Sequence, residues 1–322
     1  MDLIDKRILC ELDINCRIPY SQLARKLRIG RNVAAYRIKK LEEEKIITRY
    51  VCALNLGSLG YKTSKIYIKI KSKGKQEERF RQWLMEKKNV IHCLQMLGMF
   101  DYSFAVAVKS VHELDAFLSE MKNTFSESIA TYEISSVVYT KVFKLDKLLL
   151  GETKETLKVE RYSGEEGFSS LVNSLDEKDI RILKVLSQQA NLPIIALAQK
   201  TKLSVDIVAY RLQQLSKSIV SAYRITLNLN KLGYFHYLFL LRMKRASKEE
   251  EERLVMWCTL RKNVLYCTKR IGAFDFEINV ALRDIPEVQH FLAELKKEFG
   301  EEIDAYETLI STELLKFDYV VF

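Results

Sequence analysis

The chain has 322 residues, and its 48% hydrophobic and 29% charged content is that of a folded globular protein rather than a disordered or fibrous one. No apolar run approaches the roughly 18 residues of a membrane span, and the first residues mix acids and bases, so we expect no membrane contact, no signal peptide and a cytoplasmic location. The net charge of +10 favours an anionic partner such as nucleic acid.

The first fifty residues predict three short helices and a strand. Ile4, Ile8 and Leu12 recur at helical spacing, and the segment SQLARKL predicts a second short helix. Residues 28–30 are predicted to form a turn before a third helix, RNVAAYRIKKLEEEK. Residues 46–50, which begin with three β-branched side chains, predict a wing strand. This is the layout of a winged helix-turn-helix domain.

The third helix is predicted to enter the major groove of DNA with its first turn toward the base edges. Arg31 suits the O6/N7 edge of guanine, and Asn32 suits the N6/N7 edge of adenine. Further side chains expected on the DNA side, mainly to neutralise phosphates, are Arg28, Tyr36, Arg37, Lys39 and Lys40. The buried side is expected to hold Val33, either Tyr36 or Ala34, Ile38 and Leu41. A basic stripe alone is equally typical of a solvated face, but its place in this layout favours DNA.

The next hundred residues predict a second domain. The alternation in KIYIKIK is typical of a half-buried strand. The predicted strand, helix, strand, strand, helix and strand are residues 65–71, 76–88, 90–97, 102–108, 111–125 and 129–139. The order β-α-β-β-α-β predicts a ferredoxin-like antiparallel sheet with helices on one face.

The whole pattern then occurs a second time. RIL at 7–9 recurs at 181–183, AYR at 35–37 recurs at 209–211, and LGMFDYSFAVAV matches IGAFDFEINVAL. Many matches in one order at a near-constant offset indicate a duplication. We name residues 1–150 copy 1 and residues 174–322 copy 2.

The chain is therefore predicted to be α+β, with two winged helix-turn-helix domains alternating with two ferredoxin-like domains. The five predicted parts are a helix-turn-helix domain at 1–50, a sensor domain at 51–150, a flexible linker at 151–173, a second helix-turn-helix domain at 174–225 and a second sensor domain at 226–322.

The third helix of copy 2 has different chemistry. Val205 stands where copy 1 has Arg31, and Asp206 stands where it has Asn32. An acid at a helix N-terminus suits the helix dipole but repels phosphate, although it can accept a hydrogen bond from a cytosine amino group. The candidate DNA contacts of copy 2 are Lys202, Ser204, Asp206 and Arg211. We refer to each helix-turn-helix domain as a head, and we expect the second head to bind DNA more weakly or to read a different sequence.

This twofold arrangement, with a Gly-x-x-Asp turn in each second domain, resembles the Lrp/AsnC (feast/famine) family of transcriptional regulators. The resemblance implies that the second domain, the RAM domain, mediates dimerisation and binds small effectors, commonly amino acids, near that turn. The matching positions are Gly98, Asp101, Gly272 and Asp275. Since Gly and Asp are turn residues in any case, a purely structural turn is equally supported. Family members normally carry one unit per chain, so this chain resembles a covalent dimer that assembles further with other copies or stands alone.

Two other functions are compatible with this layout. Siroheme decarboxylases share the two-domain unit but need His and Arg groups around a tetrapyrrole carboxylate, and none of His92, His112, His236 and His290 recurs at an equivalent place. The second alternative function is that of a co-regulator, which assembles with related regulators without reading DNA. Residues 1–50 hold 12 basic and 7 acidic side chains, and residues 174–224 hold 8 and 4, which favours DNA contact in both heads.

We predict no catalytic residue, metal site or cofactor. The six cysteines lie far apart without a CxxC pair, which predicts buried free thiols rather than metal ligands.

Overall fold

The computed structural model describes residues 1–71, 74–151, 160–162, 175–244 and 247–322, so most of the predicted linker at 151–173 lies outside the described residues. The chain divides into two compact units, and each takes residues from both copies. The helical unit contains the described residues of 1–59, 144–151 and 175–233, and the strand unit contains those of 60–143, 160–162 and 234–322.

The elements follow the predicted order in both copies. Copy 1 contains α1 (Leu3–Ile14), α2 (Tyr20–Leu27), α3 (Arg31–Glu43), β1 (Ile47–Leu54), β2 (Lys62–Ile70), α4 (Lys75–Glu86), β3 (Val90–Leu97), β4 (Tyr102–Val108), α5 (Val111–Phe125), β5 (Ile129–Val142) and α6 (Asp146–Leu150). After β6 (Glu160–Tyr162), copy 2 contains α7 (Glu177–Gln188), α8 (Ile194–Thr201), α9 (Val205–Ser218), β7 (Val220–Leu227), β8 (Phe235–Met243), α10 (Lys248–Leu260), β9 (Val264–Gly272), β10 (Phe276–Leu282), α11 (Ile285–Phe299) and β11 (Ile303–Phe317). The predicted α+β class is confirmed.

In the helical unit, the predicted wing strands of the two copies pair with each other. β1 runs antiparallel to β7, with Val51 opposite Arg224, and the two form a separate two-stranded sheet. β1 continues past the predicted domain end at residue 50, and β7 continues past residue 225. Residues 51–54 are buried, and their backbone groups find partners on β7, which explains the greater length.

In the strand unit, eight strands form a closed ring. Their order is β2-β4-β3-β11-β8-β10-β9-β5, and β5 pairs again with β2, while β6 adds to β5. β5 is long enough to pair first with β2 and then with β9 of the other copy. β11 likewise pairs with β8 and then with β3. The last strand of each copy therefore crosses to the sheet of the other copy.

The ring has an outer face covered by helices and an inner face that is also buried. In β2, Ile66 and Ile68 pack on the outer side with residues of α4 and α5. Lys65 and Tyr67, on the opposite side, are 6% and 0% exposed. The prediction that KIYIKIK is buried on one face only is therefore wrong at these positions, because strands of copy 2 cover the inner face.

Two further findings concern composition. The six cysteines are buried and form no disulfide, as predicted for free thiols. Within the described ranges, each helix is too short or too polar to cross a membrane.

Candidate functional site

The turn before each candidate recognition helix has the same backbone in both copies. α2 ends at Leu27, and Arg28 adopts a left-handed conformation with φ of 55°. In copy 2, Lys202 after α8 has the same φ of 55°. A left-handed residue that is not glycine is uncommon, so its recurrence indicates that the turn geometry is retained although the sequences differ. It directs each chain into α3 or α9.

α3 presents one buried face and one exposed face. Ala34, Ile38 and Leu41 are buried at helical spacing. Tyr36 is 68% exposed, and Val33, which we expected to be buried, is 44% exposed. Val33 lies off the arc of the helix that holds Ala34, Ile38 and Leu41, and Ala34 takes the inner position for which Tyr36 was the alternative.

The predicted base-reading and phosphate-binding residues of α3 are largely exposed. Arg31 and Asn32 lie in its first turn, and the cap residue Gly30 offers the helix no side-chain hydrogen bond. Lys39 and Lys40 lie further along and form i,i+4 ion pairs with Glu43 and Glu44 at 3.6 and 3.8 Å. Such solvent-exposed pairs are weak, so both lysines stay available to an anion.

Arg37 does not share this exposed face. Its Nη1 lies 2.6 Å from Asp2 Oδ2 and 2.8 Å from Asp5 Oδ1 at the start of α1. The backbone N–H of Asp5 lowers the pKa of Asp2, and Arg37 lowers it further. Arg37 thus joins α3 to α1, and the phosphate contact predicted for it stays a prediction.

Copy 2 repeats this bond. Arg211 Nη1 lies 2.7 Å from Asp176 Oδ2 and 3.2 Å from Asp179 Oδ2. Arg211, a predicted DNA contact, therefore also has an internal partner. The signal was present in the sequence, because the arginine and both of its aspartates recur at matching positions.

The exposed face of α9 lacks the basic residues of α3. Ser204 caps the helix by accepting a hydrogen bond from the Ile207 N–H at 3.3 Å. Val205 and Asp206 are exposed in the first turn, and Tyr210 is exposed one turn later. The positions of Lys39 and Lys40 are taken by the exposed Gln213 and Gln214.

The Gly-x-x-Asp turns of the strand unit have structural functions in both copies. Gly98 and Gly272 have φ of 130° and 135°, and an added Cβ would lie 2.8 Å from Leu309 Cδ2 in the first case and 2.5 Å from a backbone oxygen in the second. Asp101 accepts a hydrogen bond from the Ile70 N–H at 2.8 Å, and Asp275 accepts one from the Met243 N–H at 2.8 Å. These contacts account for the glycines and aspartates as turn residues, and effector binding there stays a prediction.

A cluster of polar side chains that sequence reasoning missed lies inside the ring. We name it the buried cluster, and it consists of Lys65 and Tyr67 of copy 1 with Arg270, Glu277 and Asn279 of copy 2. Arg270 Nη2 lies 2.6 Å from Glu277 Oε2, and Lys65 Nζ lies 3.7 Å from Glu277 Oε1. Tyr67 donates to Glu277 and accepts from Arg270, and Asn279 Nδ2 donates to Glu277 Oε1 at 2.9 Å.

Two histidines border the buried cluster. His236 Nε2 lies 2.9 Å from Asn279 Oδ1, and burial lowers the pKa of His236 to about 4. Burial also lowers the pKa of His92, with further lowering from the charge of Lys65. Burial would raise the pKa of Glu277, but Arg270 and Lys65 outweigh it, and the net pKa is lowered. Burial lowers the pKa of the Lys65 amine, and the Glu277 carboxylate opposes that lowering. The cluster thus holds one arginine, one lysine, one carboxylate and two histidines that are neutral near pH 7.

Three family models match the chain. A model for a winged helix-turn-helix DNA-binding domain matches residues 1–48, the Lrp/AsnC ligand-binding domain matches residues 65–143, and the AsnC-type helix-turn-helix domain matches residues 175–216.

Curated relatives are similar to part of the chain. The proline dehydrogenase transcriptional activator of Rhodobacter capsulatus is 31% identical over 41% of this chain and 86% of its own length. The Bkd operon transcriptional regulator of Pseudomonas aeruginosa is 30% identical over 37% of this chain and 79% of its own length. Each match takes most of the relative and less than half of this chain.

Solved structures of one protein are similar to this chain over nearly its whole length. The siroheme decarboxylase NirDL covers 99% of this chain and 94% of its own, with a TM-score of 0.64 and 14% identity. At this identity the likeness establishes the shared fold.

Proposed function

The chain belongs to the Lrp/AsnC family of DNA-binding transcriptional regulators, and from this premise we propose that it reads DNA through the first turn of α3 in copy 1. The observation that carries the proposal is the exposure of Arg31 and Asn32 at a helix N-terminus that has no side-chain cap. Free N–H groups and the positive end of the helix dipole favour an acceptor at this point.

The roles within α3 follow from side-chain chemistry. Arg31 presents two donors to guanine O6 and N7, and Asn32 pairs with adenine N6 and N7. Arg28, Lys39 and Lys40 neutralise phosphates and fix the register without reading sequence. Tyr36, exposed on the same face, contacts the groove wall or a base.

Copy 2 binds DNA more weakly in this proposal. Asp206 repels phosphate, Gln213 and Gln214 carry no charge, and Ser204 already satisfies one of the free N–H groups at the helix start. Lys202 is the remaining cation at the turn. Unequal heads predict an imperfect or single half-site instead of a palindrome.

The two copies act as a covalent pseudo-dimer in this proposal, within the cytoplasm. The β1–β7 sheet joins the heads, and an amino-acid-like effector binds near Gly98 and Asp101 or near Gly272 and Asp275. Because both loops already have structural contacts, an effector would use their surroundings rather than displace them.

In vitro selection of bound DNA with the purified chain tests the DNA proposal. We expect enrichment of a site without twofold symmetry. Arg31→Ala should relax the base preference, whereas Lys40→Ala should mainly reduce the salt dependence of binding, by a slope of about one. If binding at roughly 0.1–0.2 M salt is unchanged in both variants, the groove assignment is wrong.

A second candidate is a decarboxylase-like activity on a tetrapyrrole. Its support is that His92 and His236, which do not match in sequence, both border a cluster that contains Arg270. Selection that enriches no sequence, together with a coloured tetrapyrrole-bound preparation, would favour this function. Enriched DNA with no spectral change on adding siroheme would favour the regulator.

A further inference from the structure

We propose that the two copies select each other through charged contacts that occur at only one of the two equivalent places created by the duplication. These contacts make copy 1 pair with copy 2, and they prevent either copy from pairing with itself or with a partner that lacks the matching charges. The proposal rests on two sets of contacts, one within each unit, and is independent of the proposed DNA function.

The first set is the buried cluster of the strand unit. Lys65 and Tyr67 come from copy 1, and Arg270 and Glu277 come from copy 2. The duplication gives each of them a counterpart at the matching position of the other copy. These counterparts are Leu238 for Lys65, Leu240 for Tyr67, Met96 for Arg270, Ser103 for Glu277 and Ala105 for Asn279.

The counterpart positions hold uncharged side chains. Leu238, Leu240 and Met96 belong to one buried apolar group, and each is at most 2% exposed. The hydroxyl of Ser103 is buried with no hydrogen-bond partner among the described residues. The ring therefore has charged side chains at one set of positions and uncharged side chains at the equivalent set, where an exact repeat would have two sets alike.

The second set lies in the helical unit. Asp13 of α1, 4% exposed, accepts from Arg224 of β7, with Oδ1 2.6 Å from Nη2 and 2.9 Å from Nε. The counterpart of Asp13 is Ser187, and that of Arg224 is Val51. This charged contact between the copies is likewise present at only one of the two equivalent places.

Pairing of a copy with itself would separate charged side chains from their partners. If copy 1 paired with a second copy 1, Lys65 would be buried against Met96 and Ser103, and Asp13 would be buried beside Val51. Lys65 would lose the Glu277 carboxylate and Asp13 would lose the Arg224 guanidinium, and burying a side chain without its opposite charge is strongly destabilising. If copy 2 paired with itself, Arg270 and Glu277 would keep each other but lose Tyr67 and Lys65, and Arg224 would lose Asp13. The pair of two copies 1 is therefore the more strongly excluded.

A cleavable form of the full chain tests this. A protease site is placed within 151–173, the protein is cleaved, unfolded and refolded, and native mass spectrometry counts the three possible pairs. Random pairing would give a quarter of the molecules as copy 1–copy 1 pairs, half as copy 1–copy 2 pairs and a quarter as copy 2–copy 2 pairs. We expect the copy 1–copy 2 pair to dominate, with the pair of two copies 1 at least about a hundredfold below its random share. A random mixture would overturn the proposal.

A symmetrised variant tests the cause. Each charged or polar residue is replaced by the residue that the other copy carries at that position: Lys65→Leu, Tyr67→Leu, Arg270→Met, Glu277→Ser, Asn279→Ala, Asp13→Ser and Arg224→Val. We expect like pairs to approach their random share. If the unlike pair still forms alone, the selectivity lies in other contacts and the proposal is wrong.

Urea unfolding of the uncleaved chain provides a test that needs no refolding of fragments. Lys65→Leu should lower the urea midpoint of unfolding, and adding Arg270→Met with Glu277→Ser should recover most of that loss. Lys69→Leu is the matched control, because Lys69 lies on the same strand as Lys65 and its ion pair with Asp101 is only partly buried, and it should change the midpoint less. Additive losses without recovery would contradict the proposal.

Discussion

The two candidate recognition helices, α3 and α9, have the same backbone frame and different chemistry. Both follow a left-handed Arg or Lys, and both are bound to the first helix of their copy by an arginine and two aspartates. The contacts that build the head have been retained since the duplication, whereas the exposed first turn has diverged. The retained residues stabilise the fold of each head, whereas the diverged residues of the first turn are those proposed to contact DNA.

The largest expected effect comes from exchanging the first turns. Arg31→Val with Asn32→Asp converts α3 to the chemistry of α9 and removes two bidentate contacts of about 1–3 kcal/mol each. Specific affinity should fall by about thirtyfold or more, measured by fluorescence anisotropy on the selected duplex. The reverse exchange, Val205→Arg with Asp206→Asn, should add affinity for a second half-site. Unchanged affinity in the first variant would remove α3 from the interface.

The helix caps differ, and their loss should differ accordingly. Ser204→Ala removes the hydrogen bond to the Ile207 N–H and should cost about 1 kcal/mol of unfolding free energy in urea. Gly30→Ser should add a few tenths of a kcal/mol, since a Cβ there meets only Val33 Cγ2 at 3.6 Å. A serine at residue 30 that also weakens DNA binding would indicate that the free N–H groups contact the ligand.

Replacing either arginine should lower the stability less than removing the Ser204 cap, because the aspartate partners of the arginines are partly exposed. Arg37→Ala should lower the Tm slightly, and Arg211→Ala should lower it less, since its second contact is 3.2 Å rather than 2.8 Å. Neither should change the salt dependence of DNA binding. A salt-dependence slope reduced by about one in Arg37→Ala, at unchanged Tm, would instead support the phosphate contact that the sequence predicts for Arg37.

The smallest effect is a difference in acid response. The pKa of Asp2 is lowered by the Asp5 N–H and by Arg37, so its contribution to stability is present above the ordinary carboxyl pKa and is lost as the pH falls. Asp176 behaves in the same way, but burial raises the pKa of Asp179, and protonating Asp179 favours the folded head. Hydrogen exchange between pH 6 and 3 should show α3 losing more protection than α9. Equal losses would contradict this difference.

The order of elements could be predicted from sequence because it depends on local periodicity, and the repeat supplied each pattern twice. Partners distant in sequence could not be predicted. Whether β1 pairs within its copy or with β7 depends on a strand more than 160 residues away. Lys65 likewise looks like an exposed residue of an alternating strand until Glu277 is placed opposite it.

The candidate site shows the same limit at shorter range. The positions of Arg31 and Asn32 follow from the helix start, and the structure leaves them exposed as expected. Arg37 carries the same charge on the same helix, but its partners are 35 and 32 residues earlier in the chain. Charge and spacing identify a basic helix, and only the packing of α1 separates the arginine that stabilises the head from those that face solvent.

The closed ring of eight strands has a thermodynamic consequence. A ring assembled from two separate chains would open on dilution, so its stability would depend on protein concentration by mass action. Here both halves belong to one molecule, and closure of the ring is a first-order process. Unfolding should therefore be independent of concentration, and the strands in the described part of the chain leave little open edge for pairing with another molecule.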